Sequence, residues 1–168
     1  MKRQLLAFIL GVFTLPVVIG AASLFGFLPV RANEKPPDWE TNFARRALHA
    51  RIRREGNALN NPIGADEKIL LRGMRLFREN CAGCHGDVGQ PSYWGTNNFY
   101  PRVPQFADHP PRLEAREMFQ VVKYGVRYSA MGGWNGMLPD ADIWNVAMFL
   151  NRLDSLPPSV EAAWKKKK

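Results

Sequence analysis

Hydrophobic and polar positions follow several different periods along this chain, and each period predicts a different kind of segment. Leu5 to Val30 is an uncharged, mostly apolar run of 26 residues. As a helix rising about 1.5 Å per residue it would extend ~39 Å, more than the ~30 Å hydrocarbon core of a bilayer. Pro16 falls mid-run, where it removes a backbone donor and predicts a bend. After Pro36-Pro37 the period becomes helical. Asp38 is placed as an N-cap, and Trp39, Phe43, Ala47, Leu48 and Ile52 form an apolar stripe opposite Arg45, Arg46, Arg51, Arg53 and Arg54. A third helix is predicted over Ala65 to Asn80, with Ile69, Leu70, Gly73, Met74 and Phe77 on one face. A last one is predicted over Asp140 to Leu153, with Ile143, Trp144, Ala147, Met148, Leu150 and Leu153 available for burial. Pro139 suits its first turn. Between these two, Gly86 to Leu113 has neither a helical nor a strand period and holds five prolines.

Charge changes the picture only once it is divided by region. The chain of 168 residues carries a net +8, which taken whole resembles a nucleic-acid binder. Between Gly64 and Pro157, however, ten basic residues face ten acidic ones, so this stretch is neutral. The excess sits in Lys2-Arg3, in Arg45 to Arg54, and in Lys165 to Lys168. That distribution favours contact with membrane lipid or a protein partner and argues against nucleic acid. Lys2 and Arg3 ahead of the apolar run predict a cytoplasmic N-terminus and a periplasmic remainder, although Arg31 and Lys35 reduce the contrast. A cleaved secretory signal is the competing reading, with Val18-Ile19-Gly20 or Gly20-Ala21-Ala22 as the cut. The apolar run continues past it through Leu28, longer than a signal needs, which favours a retained anchor.

The two cysteines of the chain stand three residues apart in Cys81-Ala82-Gly83-Cys84-His85. C-x-x-C-H is the attachment motif of a c-type haem: two thiols add to the vinyl groups, and the adjacent imidazole meets the iron. A bare C-x-x-C also suits a dithiol redox pair or half a zinc site. Neither a strand leading into it nor a second pair of ligands at zinc spacing is visible, so haem is preferred. For a sixth ligand, Met74, Met118 and Met148 fall on predicted helices among apolar neighbours and read as core. Met131 and Met137, in a glycine-rich loop, remain open. His49 and His109 read as ordinary surface histidines.

Taken together, these residues resemble a class I cytochrome c of the bacterial monohaem type over about 65–156. The resemblance rests on Gly73 and Phe77, Cys81 to Gly86, Tyr124-Gly125-Val126-Arg127, Met131-Gly132-Gly133-Trp134, and Asp142-Ile143-Trp144 through Phe149-Leu150. It implies an all-α haem domain of three main helices, with Gly73, Phe77 and Phe149 at the crossing of the first and last. It implies one covalent haem c, with Cys81 and Cys84 as attachment points and His85 and Met131 as the iron's axial ligands; Gly132 stands where the family commonly has proline. It also implies a backbone carbonyl orienting the histidine, here assigned to Pro104. Tyr93, Trp94, Tyr100, Arg102 and Trp134 are candidates for haem-edge or propionate contacts.

The expected organisation is an anchor or uncleaved signal over 1–30, a basic linker with an amphipathic helix over 31–63, a haem domain over 64–157, and a basic tail over 158–168. The expected function is single-electron transfer in a respiratory or photosynthetic chain, from a single-pass protein of the inner membrane whose haem domain faces the periplasm. Its partners would be redox proteins. A tightly bound subunit of a larger membrane dehydrogenase or oxidase is the alternative, and a haem sensor a more distant one. No nucleophile, carboxylate pair or open metal position points to catalysis by the chain itself.

Overall fold

A computed structural model describes residues 2–28 and 30–166. Lys167 and Lys168, the end of the expected basic tail, lie outside the described residues. The chain divides into two compact units, Met1–Glu34 and Lys35–Lys168.

The first unit is built on α1 (Lys2–Leu24), which runs through Pro16 without a break. It is long and apolar enough to cross a membrane. Leu5, Phe8, Leu10, Phe13, Leu15 and Val17 all project outward. Its two hydroxyls are satisfied internally: Thr14 Oγ1 donates to the Leu10 carbonyl at 2.7 Å and Ser23 Oγ to that of Ile19 at 2.8 Å. Such closure is what a polar side chain needs where no water can reach it.

Every regular element of the second unit among the described residues is helical. It comprises α2 (Asp38–Gly56), α3 (Glu67–Asn80), α4 (Ala82–His85), α5 (Tyr93–Asn97), α6 (Ala115–Tyr124), α7 (Asp140–Asn151) and α8 (Pro158–Lys165). Helix α3 starts where its cap dictates, with Asp66 accepting from the Ile69 amide at 2.9 Å. It crosses α7 at Gly73. A Cβ there would lie 2.0 Å from the Asn145 carbonyl oxygen and 2.8 Å from Phe149 Cβ, so only glycine lets the two backbones approach. Beside the crossing, Phe77 and Phe149 are fully buried with ring centroids 6.0 Å apart. Arg72 on α3 grips Asp142 on α7 through two hydrogen bonds of 3.1 and 3.0 Å. Helix α6 begins at a reciprocal cap between Glu114 and Glu117, and its Phe119 stacks on Trp144 of α7 at 4.2 Å.

The stretch expected as a basic linker with an amphipathic helix holds α2, whose second half docks on α6. Ile52 and Gly56 are buried there, and a Cβ on Gly56 would sit 3.4 Å from Glu117 Cγ. Trp39 and Phe43, placed on the apolar stripe, are each 72% exposed. Asp38 is the first helical residue, and Pro37 occupies the cap. The expected tail contains α8, whose Val160 and Trp164 are buried. Trp164 meets Phe77 and Phe149 edge-on, at 5.9 and 5.2 Å. Arg78 lies 4.8 Å over its ring and donates to its carbonyl at 2.6 Å.

Candidate haem site

Helix α3 ends at the motif. The Cys81 amide closes the last turn on the Phe77 carbonyl at 2.8 Å, and the Cys84 and His85 amides fold back on the Cys81 carbonyl at 3.1 and 2.9 Å. Cys81, Cys84 and His85 are thus held on a single turn. The turn stops at Gly86, whose φ of 75° belongs to glycine and where a Cβ would meet Gln105 Oε1 at 2.6 Å. The non-periodic segment that follows wraps back over the motif through specific bonds. Ser92 Oγ donates to the Gly83 carbonyl at 2.7 Å. The backbone of α5 comes so near that a Cβ on Gly95 would fall 2.2 Å from the Cys84 oxygen.

Gln105 joins the two sides. Its Nε2 donates to the carbonyls of Cys84 and Val103, both at 3.0 Å, and its Oε1 accepts from the Ser92 amide at 2.7 Å. Flanking it, Pro104 and Phe106 fix the histidine. His85 Nδ1 lies 2.9 Å from the Pro104 carbonyl oxygen, and the Phe106 ring stacks on the imidazole at 4.4 Å with 7° between planes. A carbonyl can only accept, so Nδ1 carries the proton and the lone pair is on Nε2. Burial lowers the pKa of His85, with the Pro104 bond opposing, so the ring is neutral at neutral pH. Burial also pushes the Cys81 thiol up to about 12, and Cys84 adds to the rise. Both cysteines are half-buried.

Met131 lies on the loop after α6. Gly125 turns the chain with φ 70°, and a Cβ there would strike the Met131 oxygen and the Gly133 nitrogen at 2.6 Å. The Val126 amide donates to the Met131 carbonyl at 2.9 Å, and the Met131 amide to Ser129 Oγ at 3.1 Å. Beyond it, the Trp134 and Asn135 amides tie back to the Val122 and Lys123 carbonyls at 3.1 and 2.9 Å. Met131 packs half-buried against the same core that Cys81, Ala82 and Phe106 border, whereas Met137 is 70% exposed. Met74, Met118 and Met148 are buried in the core. Of the edge candidates, Trp134 is half-buried beside that core, while Tyr93 and Trp94 are exposed. Arg102 lies over the Tyr100 ring at 4.3 Å. His109 is exposed and His49 is half-buried on α2.

Among the described residues no three His, Cys, Asp or Glu side chains gather as a metal cluster of the kind a zinc site needs. The donor set fits a covalent haem instead: two thiols on one turn, and beside them a neutral imidazole with its outer nitrogen free. An all-helical unit with this arrangement defines the class, a c-type cytochrome. Comparison with known proteins agrees. The family described as cytochrome c oxidase, cbb3-type, subunit III matches residues 69–150. Thiosulfate dehydrogenase of Stutzerimonas stutzeri (strain A1501) is 29% identical over 92 residues, covering 49% of this chain and 26% of that protein. The cbb3-type cytochrome c oxidase subunit CcoP of Cereibacter sphaeroides (strain ATCC 17023) is 30% identical over 89 residues, covering 52% and 29%. The matches thus span between a quarter and a third of the length of these relatives. No solved structure matches the chain. Motif, fold and matches together indicate a c-type cytochrome domain over about residues 69–150, preceded by an N-terminal helix suited to membrane anchoring.

Proposed function

We propose that this chain carries one haem, bound through thioethers at Cys81 and Cys84 and ligated by His85 Nε2 and the Met131 thioether, and passes single electrons at the periplasmic face of the inner membrane. The observation that carries this reading is the 2.9 Å bond between His85 Nδ1 and the Pro104 carbonyl, made from the same turn that holds both thiols. When bound, the haem supplies a one-electron ferrous/ferric couple. The protein's part is positional. Pro104 and Phe106 set the plane and tautomer of His85, Gln105 locks the turn, and the loop bonds around Ser129 and Trp134 hold Met131 at the core edge. Met131 is preferred to Met137 because it is half-buried against the core that Cys81 and Phe106 also border, instead of open to solvent. Lys2 and Arg3 before α1 support the periplasmic orientation.

A second reading, a fixed subunit within a membrane oxidoreductase, is favoured by the comparisons, since CcoP is by its name an oxidase subunit and the other relative is a dehydrogenase. Purification in mild detergent separates the two: a subunit brings its enzyme along, and a free carrier comes alone.

Ligation is tested by optical spectra and carbon monoxide binding of the haem-loaded chain. Met131→Ala is expected to lose the features of thioether ligation, lower the reduction potential, and open the reduced iron to rapid carbon monoxide binding, whereas Met137→Ala changes none of these. Spectra unchanged in Met131→Ala and altered in Met137→Ala would assign the ligand to Met137.

A further inference from the structure

Helix α2 has two features that the haem site does not use. The first is a cleft of about 470 Å³ between its leading half and the loop at Tyr100, lined by Lys35, Asp38, Thr41, Arg45, Tyr100 and Arg102 among others. Three cations line it against one carboxylate, and that carboxylate, Asp38, is already 3.2 Å from Lys35. Arg45 and Arg102 have no carboxylate partner among the described residues. Their charge, with the hydroxyl of Thr41 and the amide of Asn42, makes a polar recess of the size that small ligands occupy.

The second feature is the outward stripe. At about 100° per residue, the α6-facing side of the helix is centred on Ile52, and Trp39, Phe43, Arg46 and Arg54 fall on the opposite side. The two aromatics are 72% exposed, and neither arginine has a carboxylate partner among the described residues. Exposed aromatics beside unpaired arginines suit the boundary between lipid headgroups and acyl chains, where a ring can be half-immersed while a guanidinium pairs with phosphate. Covalent connection decides between lipid and other anionic surfaces. Lys35 follows Leu24, the end of α1, by eleven residues. Even fully extended, that connection spans at most ~40 Å. With α1 in a membrane, the lipid surface is always within reach of the cleft at high effective concentration, which no diffusing acidic protein matches.

We propose that the cleft between α2 and the Tyr100–Arg102 loop binds the headgroup phosphate of an anionic phospholipid, with Trp39 and Phe43 entering the interface beside it. Lys35, Arg45 and Arg102 provide the charge. The contact fixes how the second unit is presented to the membrane that holds it, and it involves none of the residues assigned to the iron.

The test uses the full-length, haem-loaded chain in mild detergent with equal amounts of phosphatidylglycerol and phosphatidylcholine of the same acyl chains, read by native mass spectrometry. Retention of phosphatidylglycerol is expected to exceed that of phosphatidylcholine about tenfold. Arg45→Gln with Arg102→Gln is expected to bring the ratio to about one, Arg45→Lys with Arg102→Lys to keep most of it, and Trp39→Ser with Phe43→Ser to lower phosphatidylglycerol retention several-fold. Far-ultraviolet circular dichroism and covalent haem content matching those of the parent chain show that the variants are folded. A preference that survives the double glutamine change places the lipid elsewhere, on α1 for instance, and overturns the proposal. Complete displacement by millimolar glycerol phosphate would make this a site for any small phosphate, and that also overturns it. Equal retention of both lipids, with a polyglutamate peptide bound in their place, would reassign the surface to an acidic protein.

Discussion

Cys81, Cys84 and His85 were legible because their chemistry is contiguous: five residues contain both thiols and the imidazole, and no folding is needed to see them together. Pro104 could be named from family resemblance alone, and its carbonyl stands 2.9 Å from His85. Gln105 and Phe106 could not be assigned roles, because a glutamine that spans two loops leaves no periodic trace and a phenylalanine in an aperiodic stretch reads as packing. The structure makes Gln105 the fastener between the motif turn and the wrapping segment. Gln105→Ala removes the donor to Cys84 and the acceptor for the Ser92 amide, leaving both groups unpaired in a partly buried place. It should cost about 2 to 3 kcal/mol in urea unfolding of the haem-loaded protein followed at the Soret band. An unchanged midpoint would mean that the surrounding backbone holds the turn without it.

Among the helices, α3 and α7 were readable because each buries one full stripe, and the glycine at position 73 marked the place where they meet. Gly73→Ala forces a Cβ onto the Asn145 oxygen and should destabilise the protein by about 3 kcal/mol by denaturant titration. Equal stability would show that α3 and α7 can slide apart. The clamp beside that crossing gives a pH dependence. Hydrogen bonding from Arg72 holds the Asp142 carboxyl below its ordinary value of 3.8, with burial opposing. A carboxylate with a depressed folded-state pKa adds stability above its unfolded pKa, and that contribution disappears as pH falls through the folded value. Urea midpoints should therefore fall below about pH 4, and Arg72→Met should flatten that limb. An identical acid limb in the variant would mean that other carboxylates cause it. At α2 the spacing suggests one apolar stripe, but at about 100° per residue Trp39 and Phe43 turn to the side opposite Ile52, and only the half around Ile52 and Gly56 lies on α6. At α8 the lysines outweighed two residues four apart, Val160 and Trp164, which are enough to seat one short helix.

At the scale of the whole molecule, one unit holds an apolar helix and the other, from Lys35 onward, holds the candidate haem residues together with the segments expected as linker and tail. Placing α2 and α8 in that unit required tertiary contacts: α8 closes the core over Phe77 and Phe149 through Trp164, and α2 leans on α6. The apolar N-terminal helix and the C-x-x-C-H motif were visible from composition and spacing alone, since both are local properties of the chain. The proposed electron transfer depends on what is joined to the motif turn. Intact-mass measurement of the chain, expressed with the machinery that matures c-type cytochromes and then denatured, tests this most directly. The predicted result is the polypeptide plus one covalently retained haem, with Soret absorbance, both lost when Cys81 and Cys84 are changed to alanine. The unmodified polypeptide mass with two titratable thiols and no Soret band would contradict it.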